Sequence, residues 1–390
     1  MQTLTIAGGD VLLPGEGLVQ VPLHLSDGHI AAIDAAPTSV LSIDATGLLV
    51  LPGIVDIHGD AFERQLQPRP GVDFPVGLAL RDTEAQLLAN GITTAFHGVT
   101  LSWEPGLRSL EAWHAILDGL EAEEWTCDMR IHLRWEAYNL DALETALADI
   151  AAGRVHLVAF NDHTPSILRK LGDPVTAAKY SDRAGMSLDA FGELARGVAA
   201  READVPAGLE RIAAAAREMG IALASHDDAT VADRTRFRTQ GARICEFPMA
   251  EEVGAAARSA GDYVVMGSPN VVRGRSHLGW ASAATMAEAG ICNILSSDYY
   301  YPAMMQAALR LAERPVLDVS QAWALVSENP AAAAGLADRG AIAPGRRADL
   351  VLMDPRARRL VATIAGGAIA HLTAEGAGRL RCGGERRYYY

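Results

Sequence analysis

Two residues spaced for metal chemistry close an apolar run: Leu51-Pro52-Gly53-Ile54-Val55-Asp56-Ile57 is followed by His58-Gly59-Asp60. On an extended backbone, positions i and i+2 point to the same side, so an imidazole and a carboxylate at that spacing can meet one metal ion. The pattern recurs at the ends of other strand-like runs. Glu136 follows Arg134-Trp135, His163 follows Asn161-Asp162, His226 precedes Asp227-Asp228, and Asp298 follows Ser297. A single His or Asp in such a place is ordinarily a structural hydrogen-bonder. Five strand ends delivering such groups to one rim point to a metal site, because they are costly to bury without partners. The candidate ligands are therefore His58, Asp60, Glu136, His163, His226 and Asp298. Imidazole and carboxylate without thiolate suit Zn2+ first, with Mn2+ or Fe2+ as alternatives. Asp60, Glu136 and Asp298 supply three negative charges, which one bridging hydroxide would bring into balance with two divalent ions. One or two divalent metals are thus expected. A pair about 3.5–4 Å apart lowers the pKa of a bridging water and clamps the attacked oxygen. Asp298 is the candidate catalytic residue, a carboxylate able to take that water's proton and return it to a leaving group.

Positioning such a rim requires strands whose carboxyl ends converge. Eight apolar runs alternate with Ala-rich helical stretches: Gly53–Ile57, Thr93–Gly98, Met129–Trp135, Val155–Phe160, Ile221–Ser225, Arg243–Phe247, Tyr263–Gly267 and Cys292–Ser296. The first run extends back to Leu48 and reads as one strand buried on both faces. The alternation defines an α/β class, and eight strands in this length fit a (β/α)8 TIM barrel, whose active sites lie at the carboxyl ends. A doubly wound sheet is the alternative, but no GxGxxG follows any strand. Short hairpin-like runs fill residues 2–50, and a similar pattern returns over 340–369. These predict a small β-sandwich domain built from both termini, with residues 1–50 and 336–390 flanking a barrel of 51–335. Residues 376–390 read as a loosely held tail.

The formal net charge of −14 argues against nucleic acid or an anionic membrane as partner, since both want a basic face. No apolar run reaches the roughly 18–20 residues of a membrane span, and the start lacks the pattern of a signal peptide. Cys127, Cys245, Cys292 and Cys382 are scattered without CxxC spacing, so a reducing cytoplasm is the expected location. Homo-oligomerisation is compatible with the sequence. Basic residues are nearly all Arg, with Lys170 and Lys179 the two exceptions. The remaining histidines, His132 among them, read as structural; His97 closes the second strand and could touch a substrate.

The run LPGIVDIHGD, Asp298 on the last strand and the closing PGRRADLVLMD resemble the amidohydrolase superfamily over nearly the whole chain. The resemblance implies a (β/α)8 barrel with a mono- or binuclear metal centre. Asp60 stands where that family's usual second first-strand histidine would be. Neither lysine sits at a strand end, so Glu136 takes the place of the carboxylated-lysine bridge many members use. Finer motifs are similar to the PhnM family: His58-Gly59-Asp60-Ala61-Phe62-Glu63-Arg64, Asn161-Asp162-His163-Thr164-Pro165, Ser225-His226-Asp227-Asp228, Pro269 to His277, and Ser297-Asp298-Tyr299-Tyr300-Tyr301-Pro302. That family comprises the α-D-ribose 1-methylphosphonate 5-triphosphate diphosphatases of the carbon–phosphorus lyase pathway. The likeness implies hydrolysis of a 5-triphosphate to a 5-phosphate and pyrophosphate, hence a small anionic phosphorylated substrate. Such a ligand calls for fixed cations, because Arg grips phosphate oxygens bidentately. The candidates are Arg64 and Arg69 after the first strand, Arg134 before Glu136, and Arg273, Arg275 and His277 after the seventh strand. Lys170 and Lys179, on a long loop after the fourth strand, complete the set. Two other readings stand beside this one. A hydrolase of an N-acetyl amino sugar or cyclic amide would use the same metals without needing the arginines. An inactive scaffold would typically have lost ligands, and here every expected position is filled.

Overall fold

The computed structural model describes residues 3–34, 41–69, 71–274 and 282–382. Its centre is an eight-stranded parallel sheet in chain order: Ile54–Gly59, Ile92–Leu101, Asp128–Glu136, Leu157–Asn161, Ala222–His226, Ile244–Glu246, Tyr263–Gly267 and Ile294–Ser296. The eighth strand returns to the first. Gly59 bridges Asp298, Asp298 N–H donates to His58 O at 3.0 Å, and Asp60 N–H donates to Asp298 O at 2.9 Å. All eight expected strands are present, and the closed barrel sends every carboxyl end to one rim. Inside it, Val55, Ile57, Phe96, Leu157, Ala224, Val265 and Ile294 form one apolar cluster, so the barrel is a packed core below its rim.

The connecting helices have start signals written into the sequence. Ser109 caps Leu110–Glu121, and Thr230 with Asp233 makes a capping box for Val231–Thr239, so orphan N–H groups are satisfied by side chains before the helix begins. Their apolar faces pack on the outside of the sheet through Trp113, Ile116, Ile150, Leu209 and Ile212.

Three expectations need correction. The run Leu48–Ile57 is two strands: Leu49–Pro52 belongs to a terminal sheet and Ile54–Gly59 to the barrel, with Gly53 at the joint. A Cβ at Gly53 would lie 2.3 Å from Thr93 Oγ1 and 2.9 Å from Asp349 Cβ, so only glycine lets the chain pass between the two bodies. The stretch after the fourth strand is helical, comprising Thr164–Lys170, Pro174–Ala184 and Leu188–Ala199. Much of the expected tail is also ordered. Thr373 caps Ala374–Gly378, and Leu380–Cys382 pairs antiparallel with Leu41–Asp44. Residues 383–390 lie outside those described.

Both termini build a five-stranded and a six-stranded sheet, which enclose Leu4, Ile6, Leu23, Val50, Leu350 and Leu352 between them. This unit grips the amino-terminal side of the barrel. Gly53 N–H donates to Asp349 O at 2.7 Å, Trp323 Nε1 to Pro52 O at 2.9 Å, and Thr363 Oγ1 to Leu88 O at 2.7 Å. No helix of the described residues is long and apolar enough to cross a membrane.

Candidate metal centre

Strand alternation assembles the centre. His58 lies at the end of the first strand, His226 at the end of the fifth, and Glu246 closes the sixth, level with His226 in the ladder. Glu246 Oε2 sits 3.0 Å from His58 Nδ1 and 3.2 Å from His226 Nδ1, and the two imidazole rings stack with centroids 5.1 Å apart. A second group shares His226. His163 Nε2 is 3.7 Å from Asp227 Oδ2, and His226 Nε2 is 3.7 Å from Asp227 Oδ1. Both groups, His58/His226/Glu246 and His163/His226/Asp227, have ligand atoms within 4.8 Å of one another.

Burial prepares these side chains as ligands. It pushes His58 down to about 3, with the Arg134 guanidinium acting in the same direction, and it pushes His226 well below the ordinary value. Both rings are therefore neutral, the form that binds metal. At His163 burial works against the charge, but hydrogen bonds to Asp227 and Glu136 outweigh it and push the ring up to about 9. Burial raises Glu246 to about 7, and burial together with nearby Asp60 raises Asp298 to about 7. Metal-type donor atoms are left unspent. His58 Nδ1, His132 Nε2 and Glu246 Oε1 are buried without a hydrogen bond among the described residues. Buried polar atoms ordinarily have partners, and this donor set of imidazoles and carboxylates fits a divalent cation.

The expected ligands separate into those gathered here and those employed nearby. His58, His163 and His226 belong to the two groups; Asp60, Glu136 and Asp298 belong to neither. Glu136 Oε1 accepts from His163 N at 3.0 Å, Thr164 N at 3.2 Å and Thr164 Oγ1 at 3.1 Å, while Oε2 lies 3.2 Å from His163 Nδ1. Both of its oxygens are occupied orienting His163 and capping the helix that follows, which is how a carboxylate positions a ligand histidine. Asp60 Oδ2 faces Arg134 Nη1 at 3.4 Å. Asp298 stands on the rim at φ 56°, its neighbour Gly267 leaving it room, since a Cβ there would be 2.9 Å from Asp298 Oδ2. Asp227 and Phe247 also follow strand ends at positive φ, 57° and 51°. Such backbone costs on the order of 1 kcal/mol or more per residue and concentrates at functional sites.

Three residues of the centre lie outside the expected ligand set: Asp227, directly after His226, together with Glu246 and His132. The expected strand Arg243–Phe247 encloses Glu246, whereas the observed strand ends at Glu246 itself, level with His226. A lone carboxylate in the apolar run Ile244-Cys245-Glu246-Phe247 was the signal. His132 was read as structural, but its Nδ1 is 3.0 Å from Ile57 O, its Nε2 is 3.7 Å from Glu246 Oε1, and its ring meets His58 edge-on. The alternation His132-x-Arg134-x-Glu136 placed all three on one face of a strand.

Among the cationic candidates, Arg134 is buried and reaches Asp60 and, through Nη2 at 3.1 Å, His226 Nε2. Arg273 Nη1 donates to Tyr299 OH at 3.4 Å, and the Arg64 guanidinium lies 5.9 Å from the centre of the same ring. Arg69 is exposed beside Arg64, and Lys170 and Lys179 are exposed on their helices. Arg275 and His277 lie outside the described residues. His97 is buried against Phe62, and burial pushes it down to about 4.

An eight-stranded barrel with imidazoles and carboxylates gathered at its carboxyl rim defines a hydrolase of the amidohydrolase type. The chain belongs to the amidohydrolase family, whose family model matches residues 49–376. Within that family it is similar to the alpha-D-ribose 1-methylphosphonate 5-triphosphate diphosphatase of Escherichia coli (strain K12), 34% identical over 346 residues, 86% of this chain and 91% of the relative. Solved structures share the fold at much lower identity. A D-hydantoinase from Bacillus sp. AR9 aligns with TM-score 0.65 and 13% identity over 96% of each chain. The N-acetylglucosamine-6-phosphate deacetylase from Pasteurella multocida gives 0.63 and 12% over 94% of this chain and 99% of its own.

Proposed function

We propose that this protein hydrolyses α-D-ribose 1-methylphosphonate 5-triphosphate to the 5-phosphate and pyrophosphate. The observation that carries the reading is the pairing, on one rim, of the His/Glu/Asp centre with Arg64, Arg69 and Arg273. None of these arginines has a carboxylate partner among the described residues. An amide substrate would leave such charges without counter-ions, whereas a triphosphate supplies them. The identity with the E. coli diphosphatase supports the same substrate.

Divalent metal, zinc being the first choice for these ligands, would supply Lewis acidity and an acidified water at the His58, His163, His226, Asp227 and Glu246 cluster. Asp298 takes the proton of the attacking water as its oxygen bonds to the α-phosphorus. The α-phosphorus–oxygen bond to the leaving diphosphate breaks, its electron pair staying on that diphosphate oxygen. Arg134 holds Asp60 and His226 in place, and Arg64 and Arg273, both against Tyr299, bind phosphate oxygens. The substrate is thus a small phosphorylated anion, and three buried free thiols, Cys127, Cys245 and Cys292, suit a reducing cytoplasm.

The test offers the ribose triphosphate to metal-loaded protein and assays pyrophosphate. Asp298→Asn should lower the rate by about 10²–10⁴, the usual worth of a positioned acid–base group. No pyrophosphate, together with hydrolysis of an acetylated amino sugar or cyclic amide, would replace this reading with an amide hydrolase. A purified chain with neither bound metal nor any hydrolysis would be the inactive scaffold.

A further inference from the structure

We infer that a cavity beside the end of the first barrel strand is a diphosphate subsite, anchored by Arg108. The inference takes its substrate from the triphosphate reading above, but the site stands on its own geometry. The cavity has a volume of ≈ 250 Å³ and is lined by Glu63, Arg64, Gln67, Arg69, Leu107 and Arg108 among others. Sites for drug-sized ligands run to roughly 300–1,000 Å³, so this one suits a short phosphate chain better than a whole nucleotide. Three guanidinium groups around one small space stand out in a chain of net charge −14.

The three arginines differ in how they are held. Arg64 and Arg69 are exposed and have no carboxylate partner among the described residues. Arg108 ends the short turn Gly106–Arg108 that follows the second barrel strand, and its side chain is 25% exposed. Glu104, itself 3% exposed, lies 3.4 Å from Arg108 Nη1 through Oε1. Glu104 therefore fixes the guanidinium from behind, and the remaining N–H groups of Arg108 have no other hydrogen-bond partner among the described residues. A guanidinium fixed on one edge with its fork open is the arrangement that grips phosphate bidentately. Burial works against its charge, but Glu104, Glu63, Asp60 and Glu136 outweigh it and raise Arg108 above its ordinary value. Asp60 leads directly into the helix Glu63–Leu66, which carries Glu63 and Arg64. A triphosphate with its α-phosphorus at the centre thus finds this cavity next along the chain, where the departing diphosphate would lie. Glu63 is the carboxylate lining the cavity, and against three arginines it leaves the lining net positive while easing product release.

The experiment measures binding of inorganic pyrophosphate and tripolyphosphate to the metal-loaded protein by calorimetry, separately from turnover. Arg108→Ala and Arg69→Ala should each weaken binding about tenfold or more, the worth of a charge-assisted pair. Arg211→Ala removes an exposed arginine paired with Glu144 on a distant helix and should leave binding unchanged. Arg69 has no structural partner to lose, so its variant reports binding even if Arg108→Ala folds poorly. If wild type binds pyrophosphate and both cavity variants bind it equally well, the subsite is refuted while the triphosphatase reading stands on its product assay. If wild type binds neither anion, the subsite is refuted outright. Should pyrophosphate bind through Arg108 while the ribose triphosphate is not cleaved, the cavity is upheld as an anion site and the proposed reaction is the part that falls.

Discussion

At Glu246, one carboxylate oxygen stands 3.0 Å from His58 Nδ1 and 3.2 Å from His226 Nδ1, so removing its charge touches two imidazoles of the candidate centre at once. Glu136, by contrast, is spent on His163 and on the first turn of the next helix. Glu246→Gln keeps the volume and should lower metal affinity by at least about 10–100-fold, since even residues behind the ligands are worth that much. Glu136→Gln should cost less, through a misaligned His163. Metal content after dialysis, read by elemental mass spectrometry, decides between them. The reverse order of losses would return the bridging role to Glu136, where the resemblance to the amidohydrolases put it. His58, His163 and His226 were legible as strand-end imidazoles. Glu246 was not, because the apolar run continues to Phe247 and hides the strand end, which the structure puts at Glu246 itself.

Elements position these residues through buried polar anchors that pattern reading does not reveal. The helix Val231–Thr239 sends Arg234, 2% exposed, beneath the ends of the fifth and sixth strands. Its Nη1 donates to Ser225 Oγ at 2.5 Å, and it pairs with Asp228 and Asp262, each at 3.4 Å; Nη2 also donates to Ala242 O. Ser225 precedes His226, and Asp228 follows it by two. The guanidinium therefore ties together the backbone that presents half of the centre. Arg234→Met strands Asp228, whose only cation among the described residues it is, while Asp262 keeps Arg238 and Arg243; breaking a buried pair from one side costs about 3–5 kcal/mol. Urea unfolding should show a loss of that size, and a change below about 1 kcal/mol would mean that water reaches and screens the network. The strands themselves were legible because each is an apolar run between turn signals. The break at Gly53 was not, since both flanking strands are buried and no polar residue marks the passage from one sheet to the other. Only the close approach of Thr93 and Asp349 explains why glycine is there.

At the scale of the whole molecule, chemistry and cohesion occupy opposite ends of the barrel. Arg339, 5% exposed, enters from the segment leading into the terminal sheets. It donates through Nη1 to Thr94 Oγ1 at 2.8 Å and Asp128 Oδ2 at 2.6 Å, and pairs with Asp338 through Nε at 2.9 Å. Asp128 opens the third strand and Glu136 closes it, so these contacts lie about 26 Å from the rim at the usual rise of a strand. In barrels of this kind, residues at the amino-terminal face serve stability and those at the carboxyl face serve catalysis. Arg339→Ala should therefore destabilise the protein by about 3 kcal/mol, the low end for a broken buried pair because Asp128 keeps Arg130 as a second partner. The folded fraction should retain its metal content, and its kcat/KM should stay within about twofold of wild type. Urea midpoint and steady-state kinetics on the same preparation separate the two effects. A fall in kcat/KM with an unchanged midpoint would mean that the terminal sheets set the geometry of the rim through the strands, and that the two faces of the barrel are coupled rather than divided.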